Sequence, residues 1–369
     1  MTTTELISDF RVDVPDEVLG DLRDRLTRTR WADAVADDWA RGTAPGPLRA
    51  LVEHWGGPFD WRAAERRINA LDHFRVEVDG SRLHFVRAGT RGATPLLLVH
   101  GWPDSFLRFE DVLPLLADFD LVVPSIPGYG FSDRPTRPGM DPARIADLFA
   151  GLMTALGIDR FGVHGGDLGS GIGEQIALRH PERLTGLHLT DVPYWHLFTV
   201  DPALLSEPEQ AYLQQAMQWS QREGTYAQLQ GTKPQTLAHG LVDSPVGLAS
   251  WFLEKFRAWS DCGGDVFSRF TPDRLAENLT VYWATGTAGS AARLYYDTMA
   301  AGRGPTARVE VPTAVAIFPK DIVPAPRAFA ERWFALDRWT EMPRGGHFAA
   351  WEEPRLLADD LRAFFAPPA

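Results

Sequence analysis

One stretch limits the folds open to this chain more than any other. An apolar run from Phe161 to Val163 enters a glycine-rich turn, Val163-His-Gly-Gly-Asp-Leu-Gly-Ser170, and the turn leads into a helix-like segment, Gly171-Ile-Gly-Glu-Gln-Ile-Ala-Leu178. Asp167 sits at the apex, flanked as Gly165-Gly-Asp167-Leu-Gly169, which is the G-x-nucleophile-x-G spacing of a strand–turn–helix elbow. Glycine is needed there because the turn is strained and helix meets strand with no room for a Cβ. A carboxylate at such an apex attacks an alkyl carbon and forms an ester, so the pattern points to epoxides or alkyl halides and away from esters and amides. The plain alternative is a glycine turn with a solvated Asp, and the rest of the chain has to decide between them.

The pattern around the elbow is that of an α/β protein. Phe74-Arg-Val-Glu-Val78 and Leu83-His-Phe-Val-Arg87 alternate about Asp79-Gly80, which predicts a hairpin. Pro95-Leu-Leu-Leu-Val99, Leu121-Val-Val-Pro124 and Leu187-His-Leu-Thr190 are continuous apolar runs suited to buried strands, and a helix is expected over 142–156. Strands alternating with helices imply a parallel sheet covered on both faces. Before this region, residues 1–75 carry the helical period, with helices over 14–26, 47–55 and 61–71 and a loop over 41–46. After it, from about 195 to 305, strand signals vanish and helices are expected over 208–219, 246–257 and 291–299. The core resumes with a strand at 311–318, a helix at 327–334, a short strand near Trp339 and a closing helix at 354–365. The reading is therefore an N-terminal helical segment (1–75), an α/β core in two parts (76–194 and 306–369) and an inserted helical cap (195–305).

Composition narrows the function. A net charge of -12 argues against a nucleic-acid partner, which needs clustered Lys and Arg. The single cysteine, Cys262, allows no internal disulfide and fits a reducing cytoplasm. The first residues lack the basic and apolar regions of a signal peptide, and the apolar runs are strand-length, so neither export nor a membrane span is expected. The glycines from Gly166 to Gly173 miss the dinucleotide spacing, and no His/Cys/Asp cluster has metal-ligand spacing, so no cofactor and no metal are expected.

Three features join Asp167 in a common chemistry. His347 lies in Arg344-Gly-Gly-His-Phe-Ala-Ala-Trp351, just before the closing helix, where a base would stand. Asp321, in Phe318-Pro-Lys-Asp321, follows a core strand, giving the chain order nucleophile, acid, His. Its role would be to hold the imidazole by its second nitrogen. Asp191, after the preceding strand, competes for that role, and Asp321 is preferred by order. His100-Gly-Trp102-Pro103 follows a buried strand. The N–H groups of Trp102 and Leu168 are the candidate oxyanion hole, with a cis Trp102–Pro103 bond as a way to turn the loop amide inward.

Over nearly its full length the chain resembles the epoxide hydrolases of the microsomal type. The resemblance is carried by Phe10-Arg-Val-Asp-Val-Pro15, Arg25-Leu-Thr-Arg-Thr-Arg-Trp31, His100-Gly-Trp-Pro103, Gly165-Gly-Asp167, Gly345-Gly-His-Phe-Ala-Ala350, and the cap segment from Gln228-Leu-Gln-Gly-Thr-Lys-Pro to Leu253-Glu-Lys-Phe256. It implies an α/β-hydrolase fold with a helical cap and an N-terminal wrapping segment, a small epoxide and water as partners, no cofactor, and a homodimer. It also implies two cap tyrosines that hydrogen-bond the epoxide oxygen, mapping onto Tyr226 and Tyr295, with Tyr296 as the off-by-one rival. Read from the residues alone, half-buried aromatics with a wet hydroxyl is the favoured description of both.

There are departures from the family pattern. Leu168 stands where Trp is common, Asp104 where Gly is usual, and Asp321 where many members use Glu. No anchor precedes the N-terminal region, so a soluble relative is expected. Two other functions share part of this constellation. A haloalkane dehalogenase needs side-chain N–H donors for halide, often a Trp beside the nucleophile, and Leu168 offers none. A catalytically silent receptor on the same fold is disfavoured by the intact Asp–His–Asp set.

Overall fold

The computed structural model describes residues 7–302 and 307–366. Nine strands form one sheet: β1 (Ser8–Phe10), β2 (Asp72–Val78), β3 (Ser81–Gly89), β4 (Pro95–Val99), β5 (Asp120–Pro124), β6 (Phe161–Gly165), β7 (Leu184–Leu189), β8 (Val309–Ile317) and β9 (Phe334–Glu341), in the order β1-β2-β3-β5-β4-β6-β7-β8-β9. The first four neighbours pair antiparallel, and β5, β4, β6, β7, β8 and β9 run parallel. The parallel strands are apolar on both faces because helices cover both: Leu96 to Val99 and Leu121 to Val123 are all buried. Asp79 and Gly80 both take positive φ at the β2–β3 turn, which keeps the strand twist continuous through a two-residue hairpin.

After β4 the chain builds β5 on one side and then crosses back to build β6 on the other. This reversal opens a crevice beyond the carboxyl ends of β4 and β6, the place where open α/β sheets receive ligands. Between β7 and β8 the chain is helical: Glu207–Arg222, Thr225–Thr232, Pro234–Asp243, Pro245–Ala258, Pro272–Thr285 and Ala288–Ala300 lie over that crevice. The N-terminal helices Asp16–Thr27 and Pro45–Gly56 touch this layer, and Trp55 donates its indole N–H to Thr280.

The structure adds the helices Thr225–Thr232, Pro234–Asp243 and Pro272–Thr285, which the sequence reading lacked, and corrects it in four further places in the N-terminal segment and the core. Residues 1–75 are not wholly helical: Ser8–Phe10 adds an edge strand against β2, too short and exposed to show a period. The expected loop over 41–46 ends early, since Pro45 already opens a helix as its first residue. The strand near Trp339 is eight residues long, drawn out by pairing with β8. The elbow helix begins at Leu168, three residues before the expected start, directly after Asp167.

Candidate active site

Five of the six parallel strands each deliver one polar group to the crevice. Asp167 follows β6, Trp102 follows β4, Asp191 follows β7, Asp321 follows β8 and His347 follows β9. Asp167 is held at φ 58°, ψ -126°, a conformation an L-residue adopts only when its surroundings enforce it. The enforcement is steric. A Cβ on Gly169 would collide with the Val99 carbonyl, and one on Gly101 would come within 2.5 Å of the Asp167 Cβ, so strand β4, its loop and the elbow close on one another at van der Waals contact.

The carboxylate of Asp167 is held at both oxygens. The Trp102 N–H donates to Oδ1 at 2.9 Å, and His347 Nε2 lies 3.2 Å from Oδ2. On its other side, His347 Nδ1 lies 2.7 Å from Asp321 Oδ1, which also accepts from the Ile322 N–H at 2.6 Å. The imidazole therefore stands between two carboxylates. Burial opposes a charge on it, but Asp321 and Asp167 outweigh burial and hold its pKa up to about 10. Leu168 is the first residue of its helix, so its N–H belongs to the first-turn donors that have no intrahelical acceptor.

The Trp102–Pro103 bond is cis. The peptide that presents the Trp102 N–H is itself clamped: His100 Nδ1 lies 2.9 Å from the Gly101 carbonyl, and Asp104 Oδ1 accepts the Gly101 N–H at 2.9 Å. Asp104 and Arg108 form a buried ion pair at 2.6 Å, with 0% and 1% of each residue exposed. The far end of that guanidinium donates to the His347 carbonyl at 2.9 Å. One strut thus ties the Trp102 loop to the His347 loop. Burial opposes the Asp104 charge, and the Arg108 cation overcomes it and lowers the carboxyl below its usual range.

Asp191 does not contact the imidazole in the way Asp321 does. Its Oδ1 accepts the Asp167 N–H at 2.8 Å and the Ser170 hydroxyl at 2.7 Å, fixing the elbow. Burial, and then the Asp321 charge, push its carboxyl up to about 7.

Opposite Asp167 the wall is aromatic. Tyr226, on Thr225–Thr232, stacks on Trp102 with ring centres 5.1 Å apart and planes 6° from parallel. Tyr295, on Ala288–Ala300, meets Trp102 and Tyr226 edge-on at 6.0 Å each. Burial, followed by nearby charge and phenol groups, raises both phenols well above the ordinary tyrosine range. Tyr296 points outward with 47% of its surface exposed, as the 100° step of a helix requires of a neighbour. Trp259 completes the wall, packing on Tyr226 at 5.0 Å and accepting the His347 N–H at its carbonyl.

Asp167, Leu168, Tyr226, Tyr295, Asp321 and His347 all line one cavity of about 540 Å³. The residues that sequence reasoning missed are Arg108, Trp259 and the His196–Glu174 pair in the cavity wall. Asp191 entered the reading only as a rival acid. Among the described residues, no group of His, Cys, Asp and Glu is arranged to hold a metal, and no helix is long and apolar enough to cross a membrane.

A parallel sheet with its switch point at β4, a carboxylate on the elbow after β6 and a helical layer above define an α/β-hydrolase. Residues 94–239 match the alpha/beta hydrolase fold family, and residues 7–109 match the epoxide hydrolase N-terminus family. Epoxide hydrolase 1 of Sus scrofa is 34% identical over 402 aligned positions, covering 98% of this chain and 88% of the pig protein. The crystal structure of juvenile hormone epoxide hydrolase from Bombyx mori superposes with a TM-score of 0.87 at 30% identity, covering 98% of this chain and 94% of that one. Aspergillus niger epoxide hydrolase gives a TM-score of 0.84 at 28% identity, covering 97% and 96%. The chain belongs to the epoxide hydrolase family.

Proposed function

We propose that the protein converts an epoxide to a vicinal diol through an alkyl ester on Asp167. In the first step Oδ2 of Asp167 bonds to an epoxide carbon, the carbon–oxygen bond breaks, and the leaving oxygen takes a proton from the Tyr226–Tyr295 pair. A phenol is a weak acid but a good partner for a developing alkoxide, and two of them share the task. Oδ1, already bound by the Trp102 N–H, becomes the carbonyl oxygen of the ester. Before the second step the proton on His347 passes to the phenolate and restores the phenol, which frees the imidazole to act as the base. In the second step His347 takes a proton from water, the hydroxide adds to the ester carbon, and the N–H groups of Trp102 and Leu168 stabilise the oxyanion. Collapse then expels the product oxygen, which takes the proton of the new carboxyl group, so that the diol leaves with the Asp167 carboxylate and the His347 imidazolium both restored.

The electrostatics of the site suit this order. Asp167 and Asp321 together hold a proton on His347. Ester formation removes the Asp167 charge, so one of the two groups that retain the proton disappears just when a base is needed. The observation that supports the reading most is the carboxylate of Asp167 set beside His347 at 3.2 Å in a cavity lined by two phenols, the buried Tyr226 and the half-buried Tyr295.

On this reading the chain divides into an N-terminal segment (1–75), a core (76–194 and 306–369) and a cap (195–305), in keeping with a span between β7 and β8 that holds no strand among the described residues. Three further expectations belong to the proposal: a homodimer, from the family; a cytoplasmic location, from the lone Cys262; and no nucleic-acid partner, from the net charge of -12. The test is turnover of styrene oxide alongside a bromoalkane. Formation of the phenyl diol without halide release is expected, and halide release without diol overturns the proposal.

A further inference from the structure

The cavity does not end at Asp167. The Leu168–Arg179 helix forms its floor, and the residues that reach it are Leu168, Gly171, Glu174 and Gln175, the i, i+3, i+6, i+7 face of that helix. Gly171 leaves this floor open between its two ends, since a Cβ there would touch only the Trp195 ring, at 3.6 Å. Glu174 lies seven residues beyond Asp167, which puts it about 10 Å along the helix axis from the elbow. There it meets His196, whose Nε2 lies 3.0 Å from both carboxylate oxygens. Both side chains are buried, both line the cavity, and His196 Nδ1 has no hydrogen-bond partner. Nothing in the chemistry at Asp167 uses this pair.

Apart from the protonated His347 held between Asp167 and Asp321, charge along the cavity is one-sided. Its lining contains Asp141, Asp167, Glu174, Asp191 and Asp321, and among the described residues no Lys or Arg reaches it. A carboxylate at the far end of a substrate would lie beside Glu174, away from the His347 proton, with no Lys or Arg to receive it. A hydroxyl or ammonium at the far end would instead find the Glu174 acceptor and the aromatic rings of Tyr194, Trp195 and Phe198 around it.

We propose that the cavity selects neutral or cationic epoxides that carry a hydrogen-bond donor about 10 Å from the oxirane, that Glu174 receives that donor while His196 orients the carboxylate, and that anionic epoxides are rejected. This assignment rests on the epoxide hydrolase reading and adds the substrate class to it. Each Glu174 oxygen can accept a second donor beside His196, and a hydrogen bond to a charged group is strong enough that discrimination of about tenfold to hundredfold follows between a substrate that supplies that donor and one that does not.

The test uses four straight-chain terminal epoxides of matched length, long enough to span that distance, ending in hydroxyl, ammonium, methyl or carboxylate, with styrene oxide beside them. For the unmodified protein, kcat/KM is expected to be at least about tenfold higher for the hydroxyl and ammonium chains than for the methyl chain, and lowest for the carboxylate. In Glu174→Gln, which keeps the shape and removes the charge, the ammonium preference and the carboxylate penalty should both collapse, while part of the hydroxyl preference survives. Equal kcat/KM for all four chains overturns the assignment, as does an order of preference that Glu174→Gln leaves unchanged. Hydrolysis of styrene oxide with no discrimination among the chains defeats this assignment alone. Failure to open any of the five epoxides defeats the epoxide hydrolase reading itself.

Discussion

The two walls of the reaction cavity are built on different principles. The wall that holds Asp167 is made of strand ends and tight turns, and its positions are set by backbone: a positive φ at the apex, a peptide clamped at Gly101, and amide donors. The wall that holds Tyr226 and Tyr295 is made of helices, and its positions are set by ring packing on Trp102 and Trp259. The first kind of wall has one geometry or none. The second tolerates adjustment, because ring contacts lose energy gradually as rings slide. Substitutions on the Asp167 wall should therefore abolish steps, and those on the phenol wall should slow them.

The largest effects should come from the Asp167 wall. Asp167→Ala is expected to lower kcat by about 10⁴-fold or more, the scale seen when a nucleophile is removed. His347→Gln should block the second step only, so that an alkyl ester accumulates to one per chain. Intact-protein mass spectrometry after brief exposure to styrene oxide would register that adduct, and an unshifted mass would contradict the separation of steps.

Next come the phenols. Tyr226→Phe and Tyr295→Phe should each slow ester formation about 10- to 100-fold and leave ester hydrolysis nearly unchanged, with the double variant losing about 10³-fold. Stopped-flow tryptophan fluorescence, reporting on Trp102 and Trp259 beside the site, separates the two steps. If either single variant matched the loss of Asp167→Ala, the two walls would not differ as described.

A smaller effect on chemistry, but a large one on stability, is expected from the strut between the loops. Arg108→Met leaves Asp104 buried without its partner and should cost about 3–5 kcal/mol in urea unfolding. Asp104→Asn combined with Arg108→Met should recover part of that loss, because no uncompensated charge remains.

The smallest effect concerns pH. Asp191 keeps its proton in the folded state up to about 7, against 3.8 when unfolded, so the folded state binds the extra proton. Its contribution to stability is fully present below about 4 and is lost as pH rises through 7. Thermal melts of Asp191→Asn at pH 4.5 and 7.5 should show a narrower gap than those of the unmodified protein, and an equal or wider gap would sink this account.

The same contrast explains what could be read without coordinates. The elbow, the His347 loop and the strand end before Asp321 are local chemistry, in which a few consecutive residues carry the geometry. Tyr226 and Tyr295 come from helices far apart in the chain and resemble any half-buried aromatic, so only likeness to a family singled them out. Arg108 gave no signal, since an arginine in Phe106-Leu-Arg-Phe109 reads as a surface residue until Asp104 folds beneath it. The Pro272–Thr285 helix was missed because Glu277, Asn278 and Thr280 are buried among other helices, which breaks the apolar stripe that marks a helix. Thr225–Thr232 was missed because it is only eight residues long and carries Gly231 inside it. Glu174 and His196 are 22 residues apart and meet only once β7 has brought the chain back over the elbow helix.

The central claim, a covalent ester on Asp167, has a direct test. With enzyme in excess over an aryl epoxide in ¹⁸O-water, the oxygen added to the first diol must come from the Asp167 carboxylate and carry no label, while the peptide containing Asp167 gains ¹⁸O as the ester is hydrolysed. Label in the first-turnover diol, with an unlabelled Asp167, would mean that water attacks the epoxide directly and would contradict the mechanism.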